Sequence, residues 1–141
     1  GTPAAGTPAA GTQTIMPPSR VRQRIVLVED QDAVRQMTAR MLTADGFDVA
    51  QARSAEEAYR FLNDGRDVSL VLTDVEMPGV GGGALARSLE RDDRRIPVLF
   101  MSGYTNDALL LRGAMPLNAS FLAKPFTHEL LRAAVRRALD G

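Results

Sequence analysis

The chain has 141 residues, enough for one domain with a sizeable core, and its 17 Lys and Arg side chains balance 17 Asp and Glu side chains. This balance provides no basic field for direct nucleic-acid binding. The absence of cysteine excludes disulfides and thiol catalysis and is typical of a reducing compartment. No apolar run approaches the roughly 20 residues of a membrane-spanning helix, so we expect no membrane contact by this segment.

The first 21 residues differ in composition from the rest of the chain. They repeat Gly, Thr, Pro and Ala and offer few side chains that a core would bury. We therefore predict a flexible linker over residues 1–21 and a single folded domain over residues 22–141. From the linker and the missing initial methionine we expect a segment cut from a longer chain, although removal of the methionine alone would leave the same sequence.

From residue 25 onward, apolar runs of strand length alternate with segments whose apolar side chains have helical spacing. Five strands and five helices in alternation predict an α/β fold with a parallel sheet that is covered on both faces. The predicted strands are residues 25–28, 48–51, 69–73, 97–101 and 120–123, and the predicted helices are residues 32–44, 54–62, 84–90 and 106–112 and a last helix after Thr127.

Three local patterns refine the helices. Ser54 followed by Glu57 is typical of a capping box, and Thr127 is typical of a helix N-cap. The glycines at positions 81–83 lack the lysine of a phosphate-binding loop and predict a mobile turn. His128 is interpreted as a solvated residue in the first turn of the last helix. The predicted inner stripe of that helix consists of Leu130, Leu131, Val135 and Leu139.

Polar side chains follow four of the predicted strands. Glu29 and Asp30 follow the first strand, Asp74 the third, Ser102 the fourth and Lys124 the fifth. Because the carboxyl ends of parallel strands share one edge of the sheet, we expect these side chains to form a cluster. Asp74 is the first candidate for a functional residue, because it follows an apolar run that is typical of a buried strand.

Three clustered carboxylates repel each other unless a cation and an ammonium group offset their charge. Oxygen ligands of this kind are typical of Mg²⁺. A carboxylate nucleophile beside Mg²⁺, a lysine and a hydroxyl can accept a phosphoryl group. The residues therefore predict an aspartyl phosphate at Asp74, with Lys124 and Ser102 contacting the phosphoryl oxygens.

These residues, in this order and spacing, resemble the receiver domain of two-component response regulators. The likeness covers residues 24–140, and the segments around Ser102 and Lys124 are most similar to receivers at the C-terminus of hybrid sensor histidine kinases. The matching motifs are Glu29-Asp30, Asp74 with Met77-Pro78 and Gly82, Ser102, and Lys124-Pro125-Phe126.

The resemblance implies a flavodoxin-like (βα)5 three-layer sandwich with strand order 2-1-3-4-5. It implies a phosphoacceptor segment, not a turnover enzyme, which takes its phosphoryl group from a histidine kinase or histidine phosphotransfer domain. The parent chain is then expected to be a hybrid sensor histidine kinase. We expect a cytoplasmic location for this domain, whether or not the parent is anchored in a membrane.

The resemblance also assigns roles at the site. Asp74 is the phosphoacceptor, and Asp30 and Asp74 bind Mg²⁺ together with the backbone carbonyl of Glu76. Glu29 assists through water. Lys124 pairs with the phosphoryl group.

Two further residues would couple phosphorylation to the surface, and two would control its lifetime. Ser102 would follow the phosphate inward, and Phe121 would rotate into the space behind it. Because Phe121 has no hydroxyl, this switch rests on packing alone. Glu76 and Tyr104 flank the path of the hydrolytic water in this family, and we predict that Tyr104 slows phosphate loss by crowding that water.

Two alternatives remain open from the sequence. One is a receiver-like binding module that is never phosphorylated. The other is a haloacid-dehalogenase-type phosphatase, but that family needs a second Asp two residues after the nucleophile, where this chain has Glu76. The stimulus, the output partner, the oligomeric state and the isomer of the Lys124-Pro125 bond are not determined by the sequence.

Overall fold

The computed structural model describes residues 22–75, 81–92, 94–103 and 120–141. The strands in these ranges are β1 (Arg24–Val28), β2 (Asp48–Ala52), β3 (Leu70–Asp74), β4 (Val98–Ser102) and β5 (Ser120–Ala123). The helices are α1 (Asp32–Ala44), α2 (Ala55–Leu62), α3 (Gly82–Arg91) and α4 (His128–Asp140). The predicted helix at residues 106–112 lies outside the described residues, as does the predicted linker.

All five strands are parallel and lie in the order β2-β1-β3-β4-β5, which confirms the predicted flavodoxin-like sheet. Alternate residues of β1 point to opposite faces, so that Ile25 and Leu27 join one core cluster and Val26 and Val28 join the other. Helices α1 and α4 contribute to the first cluster, and α2 and α3 contribute to the second. The sheet is therefore the middle of three layers, and its carboxyl edge is left to carry the site.

Both predicted helix N-caps are present. The Ser54 side chain accepts a hydrogen bond from the Glu57 backbone N–H at 3.2 Å, and Thr127 accepts one from the Leu130 N–H at 3.1 Å. The Glu57 carboxylate reaches back to the N–H of Arg53, one residue before the cap. Short-range sequence patterns thus fix where α2 and α4 begin.

The predicted inner stripe of α4 was wrong at Leu130. Leu131 and Val135 are buried, whereas Leu130 is 55% exposed. Adjacent residues of a helix point about 100° apart, so Leu130 and Leu131 cannot both face the core directly.

His128 lies in the first turn of α4, as predicted, but its side chain is only partly solvated because it contacts Asp45. Its Nε2 atom lies 3.0 Å from Oδ2 of Asp45, the C-cap residue of α1, and Arg132 donates a hydrogen bond to Oδ1 of the same carboxylate at 3.1 Å. Burial by itself would raise the pKa of Asp45, but the hydrogen bonds from Arg132 and His128 outweigh it and lower that pKa below its ordinary value of 3.8. The cluster fastens α4 to the end of α1.

We expect the substitution Asp45→Asn to reduce the free energy of unfolding by about 1 kcal/mol at neutral pH, because it removes the charge that holds Arg132 and His128. A carboxyl whose pKa is lowered by folding contributes its stability above its ordinary pKa. The contribution is lost as the pH falls below 3.8 through the lowered pKa. Urea unfolding between pH 3 and pH 7 measures this. Asp67→Asn, in an exposed position, is the control, and a pH-independent difference would contradict the prediction.

A buried arginine lies at the end of the sheet where the parallel strands begin. Arg24, the first residue of β1, is 5% exposed and donates hydrogen bonds of 3.0 and 2.7 Å to the two carboxylate oxygens of Asp64. It also donates to the backbone carbonyl of Phe61 in α2. Because the Arg24 guanidinium donates to Asp64, the pKa of that carboxyl falls to about 2. The start of β1 is thereby tied to the last turn of α2.

Candidate phosphoacceptor site

The structure gathers the predicted side chains at the carboxyl edge of the sheet. Asp74 is the last residue of β3 and Ser102 the last of β4, while Glu29 and Lys124 directly follow β1 and β5. The parallel register aligns Asp74 with Met101 and Ser102 with Ala123. This alignment brings groups from four strands to one place.

The Lys124 ammonium lies between two carboxylates. Its Nζ atom donates hydrogen bonds to Oε1 of Glu29 at 2.7 Å and to Oδ2 of Asp74 at 2.6 Å. Glu29 is fully buried, and Asp74 is nearly so. The lysine therefore connects the ends of β1, β3 and β5 through one positive charge.

Burial and hydrogen bonding shift the pKa values of Glu29 and Lys124 in opposite directions. Burial raises the pKa of Glu29 above its ordinary value of 4.5, although hydrogen bonds from Lys124 and from the Gln31 N–H partly offset that effect. Burial would lower the pKa of Lys124, but its hydrogen bonds to Asp74 and Glu29 outweigh it and the pKa rises above 10.5. The ammonium stays charged throughout the physiological range.

The three carboxylates form a set of oxygen donors. One oxygen from each of Glu29, Asp30 and Asp74 lies within 4.8 Å of the others, and Asp30 is exposed while its two neighbours are buried. Hard oxygen ligands with an open side suit Mg²⁺, which retains several waters. The donor set thus fits the ion that the sequence predicts, with solvent access on the side of Asp30.

Ser102 is placed by its backbone. Its carbonyl accepts a hydrogen bond from the Lys124 N–H at 2.8 Å, so the end of β4 is tied to the residue that carries the ammonium. Its side chain is buried. The peptide bond between Lys124 and Pro125 is cis.

The glycines at positions 81–83 do not form the predicted mobile turn. Gly81 is the N-cap of α3, and Gly82 is the first residue of that helix. A Cβ atom on Gly82 would lie 2.5 Å from the backbone oxygen of Asp74. Glycine is needed here because the start of α3 packs directly on the backbone of β3 at Asp74.

Phe121 is 39% exposed on β5, and its ring stacks on that of Phe100 in β4 with 5.5 Å between centroids. Phe100 is fully buried and packs with Val75, which follows Asp74, and with Ala86 of α3. A contact path therefore leads from the residue after Asp74 to a partly exposed ring.

Some site residues could not be predicted, and others lie outside the described ranges. Glu76 and Tyr104 are in the latter group, and their roles remain predictions. Sequence reasoning missed Arg35, whose guanidinium is buried beside Glu29, as well as Phe100 and the close approach at Gly82. Arg35 precedes the buried Thr38, Ala39 and Leu42 of α1 by three, four and seven positions, and this helical spacing was the available signal.

The fold and the cluster of carboxylates and lysine at the sheet edge define a class of α/β signalling domain. The family model described as "Response regulator receiver domain" matches residues 25–136. The chain belongs to this family, and thus to the receiver domains of two-component systems. Receiver domains pair with histidine kinases or phosphotransfer domains, and the family typically binds Mg²⁺ at an acidic pocket.

Among curated relatives, the chain is 36% identical over 117 residues to the sensor kinase CckA of Brucella abortus, covering 82% of this chain but 12% of that protein. It is 34% identical over 120 residues to the autoinducer sensor kinase/phosphatase CqsS of Vibrio cholerae, covering 80% and 17%. It is 38% identical over 116 residues to the transcriptional regulatory protein FixJ of Azorhizobium caulinodans, covering 80% and 53%. The chain thus spans only a small part of the two sensor kinases.

Solved structures give the same family. A response regulator receiver protein from Sinorhizobium medicae aligns with a TM-score of 0.77 at 27% identity, covering 85% of this chain and 96% of that chain. The receiver domain of the hybrid histidine kinase CckA aligns with a TM-score of 0.68 at 34% identity, covering 82% and 98%. Receivers of hybrid kinases are therefore among the relatives, as the sequence predicted.

In the described residues, no helix has the length and apolarity needed to cross a bilayer.

Proposed function

We propose that Asp74 accepts a phosphoryl group from a phosphohistidine and that its modification is the signal. The observation that carries the proposal is the Lys124 ammonium held between Asp74 and Glu29, beside the exposed Asp30. A positive charge and a set of oxygen donors surround one carboxylate at an open edge. This is the environment that a transferred phosphoryl group needs.

In the proposed reaction, an Asp74 carboxylate oxygen forms a bond to phosphorus while the bond from phosphorus to the donor's histidine nitrogen breaks. The histidine ring leaves and retains the electron pair of that bond. Lys124 moves its hydrogen bonds from the carboxylates to a phosphoryl oxygen. Asp30 and Asp74, with the carbonyl of Glu76 and with Glu29 through water, would hold Mg²⁺, which supplies charge neutralisation when bound.

The phosphoryl group adds close to two negative charges at Asp74. We propose that the Ser102 hydroxyl moves toward it and that Phe121 turns into the space behind Ser102. The stack of Phe121 on Phe100 supports this role, because a buried ring next to Val75 limits where Phe121 can turn. Slow hydrolysis would reset the domain, with Glu76 and Tyr104 beside the path of the water.

The donor is proposed to be a histidine kinase or histidine phosphotransfer domain in the cytoplasm, in the same parent chain if that chain is a hybrid kinase. Similarity to the receivers of CckA and CqsS supports the hybrid parent. The membership in the receiver family argues against the phosphatase alternative. A receiver-like module that is never phosphorylated remains the rival function.

Acetyl phosphate with Mg²⁺ distinguishes these functions. We expect intact-protein mass spectrometry to show the gain of one phosphoryl group in the wild type and none in Asp74→Asn. Asp67→Asn, which removes an exposed carboxylate elsewhere, should behave as the wild type. Absence of any mass gain, together with absence of beryllofluoride binding, would establish the passive module instead.

A further inference from the structure

Arg35 is a charged residue on the inner side of α1, and its side chain is only 10% exposed. Burying a guanidinium is costly unless its N–H groups find acceptors. Two acceptors are present. Nη2 donates a 2.7 Å hydrogen bond to Oδ1 of Asp32, and Nη1 donates a 3.1 Å hydrogen bond to the backbone carbonyl of Glu29.

The second contact reaches the acidic cluster. The carbonyl of Glu29 belongs to the peptide unit that links Glu29 to Asp30. A peptide unit is planar, so holding its oxygen also restricts the orientation of the plane and the position of the Asp30 Cα atom. Arg35 therefore acts on the backbone from which two of the three clustered carboxylates extend.

Other contacts hold the neighbouring atoms of this turn. The Glu29 N–H donates to the carbonyl of Ala52 at 3.0 Å, and the Gln31 N–H donates to Oε2 of Glu29 at 3.1 Å. Gln31 is the N-cap of α1 but makes no side-chain capping hydrogen bond. Arg35 thus adds a restraint at the Glu29 carbonyl, between the two N–H groups that these contacts fix.

We propose that Arg35 is a positioning residue for the metal site. It fixes the peptide between Glu29 and Asp30 so that both carboxylates face Asp74 before Mg²⁺ binds. This inference rests on the proposed function of the acidic cluster. Groups that orient metal ligands without touching the metal typically alter affinity by 10- to 100-fold when they are removed.

The test compares Arg35→Met with Arg35→Lys. Isothermal titration calorimetry of unphosphorylated protein measures the Mg²⁺ dissociation constant, and thermal unfolding without Mg²⁺ measures stability. We expect Arg35→Met to weaken Mg²⁺ binding by about tenfold or more. Arg35→Lys, which can still donate to the Glu29 carbonyl, should recover part of the loss. Arg40→Met, at an exposed position on the same helix, should match the wild type.

A second measurement separates positioning from general loosening of the fold. In phosphorylation by acetyl phosphate, Arg35→Met should shift the Mg²⁺ concentration for half-maximal rate to higher values but approach the wild-type rate when Mg²⁺ saturates. If Arg35→Met does not fold, the same shift, smaller in size, is expected for Arg35→Lys.

A lowered unfolding temperature with a Mg²⁺ dissociation constant within about twofold of the wild type would overturn the inference and leave Arg35 a purely structural residue. That result, combined with normal Asp74-dependent phosphorylation, would leave the proposed function intact. A wild-type protein that neither binds Mg²⁺ nor gains a phosphoryl group would instead overturn both.

Discussion

The substitution Lys124→Met is expected to lower the free energy of unfolding by about 3 kcal/mol at neutral pH, because it leaves the buried carboxylates of Glu29 and Asp74 without their shared ammonium. Lys124→Arg, which keeps the charge, should retain most of the stability. Chemical denaturation of the three proteins without Mg²⁺ measures these differences. Adding Mg²⁺ should narrow the difference between Lys124→Met and the wild type.

The loss should depend on pH. The pKa of Glu29 is already raised above 4.5 by burial, and removing Lys124 raises it further. A carboxyl whose pKa is raised by folding destabilises the protein as the pH increases from its unfolded-state pKa through its folded-state pKa. The cost of Lys124→Met should therefore be largest near neutral pH and shrink below 4.5. This account would be contradicted if Lys124→Met cost the same free energy of unfolding at neutral pH as below pH 4.5. It would also be contradicted if adding Glu29→Gln to Lys124→Met did not restore stability.

Gly82→Ala is expected to destabilise the protein by about 2 kcal/mol, although alanine is normally the better helix former by about 1 kcal/mol. The added Cβ would lie 2.5 Å from the Asp74 carbonyl oxygen and 3.2 Å from Cγ2 of Thr73, so α3 or the end of β3 has to move. Because Asp74 itself is displaced, the rate of phosphorylation by acetyl phosphate should fall as well. Thermal unfolding and the mass-spectrometric assay measure the two effects.

Gly81→Ala is the matched control. Its Cβ would lie 3.4 Å from the backbone oxygen of Val75, an ordinary contact, so the expected cost is only the poorer capping by alanine, about 0.5 to 1 kcal/mol. If the Gly82→Ala protein were as stable as the Gly81→Ala control, the start of α3 would not be packed tightly against the end of β3.

The sequence was sufficient to predict the five strands to within one or two residues. Buried parallel strands are covered on both faces and therefore read as continuous apolar runs, such as residues 25–28. The predicted clustering of strand ends followed from the same topology. The strand order itself came from the resemblance to receiver domains, and the structure confirms it.

The topology predicted that Lys124 would lie near Glu29, 95 positions away, but not which atoms of the two residues would form a hydrogen bond. The contact between Asp45 and His128, which are 83 positions apart, was not predicted because no local pattern records it. Helix α3 begins at Gly82, two residues before the predicted start, because packing against Asp74 overrides the low helix propensity of glycine. Local capping by Ser54 and Thr127, in contrast, was predictable.

The location of β1 also determines how mechanical tension acts on this domain. Residues before Arg24 continue directly into β1, which lies between β2 and β3 and is paired with both. A pull along this strand is opposed at once by the hydrogen bonds on its two sides and by the Arg24–Asp64 ion pair at its first residue. Glu29, just beyond the other end of the strand, is thereby shielded from traction in the preceding chain.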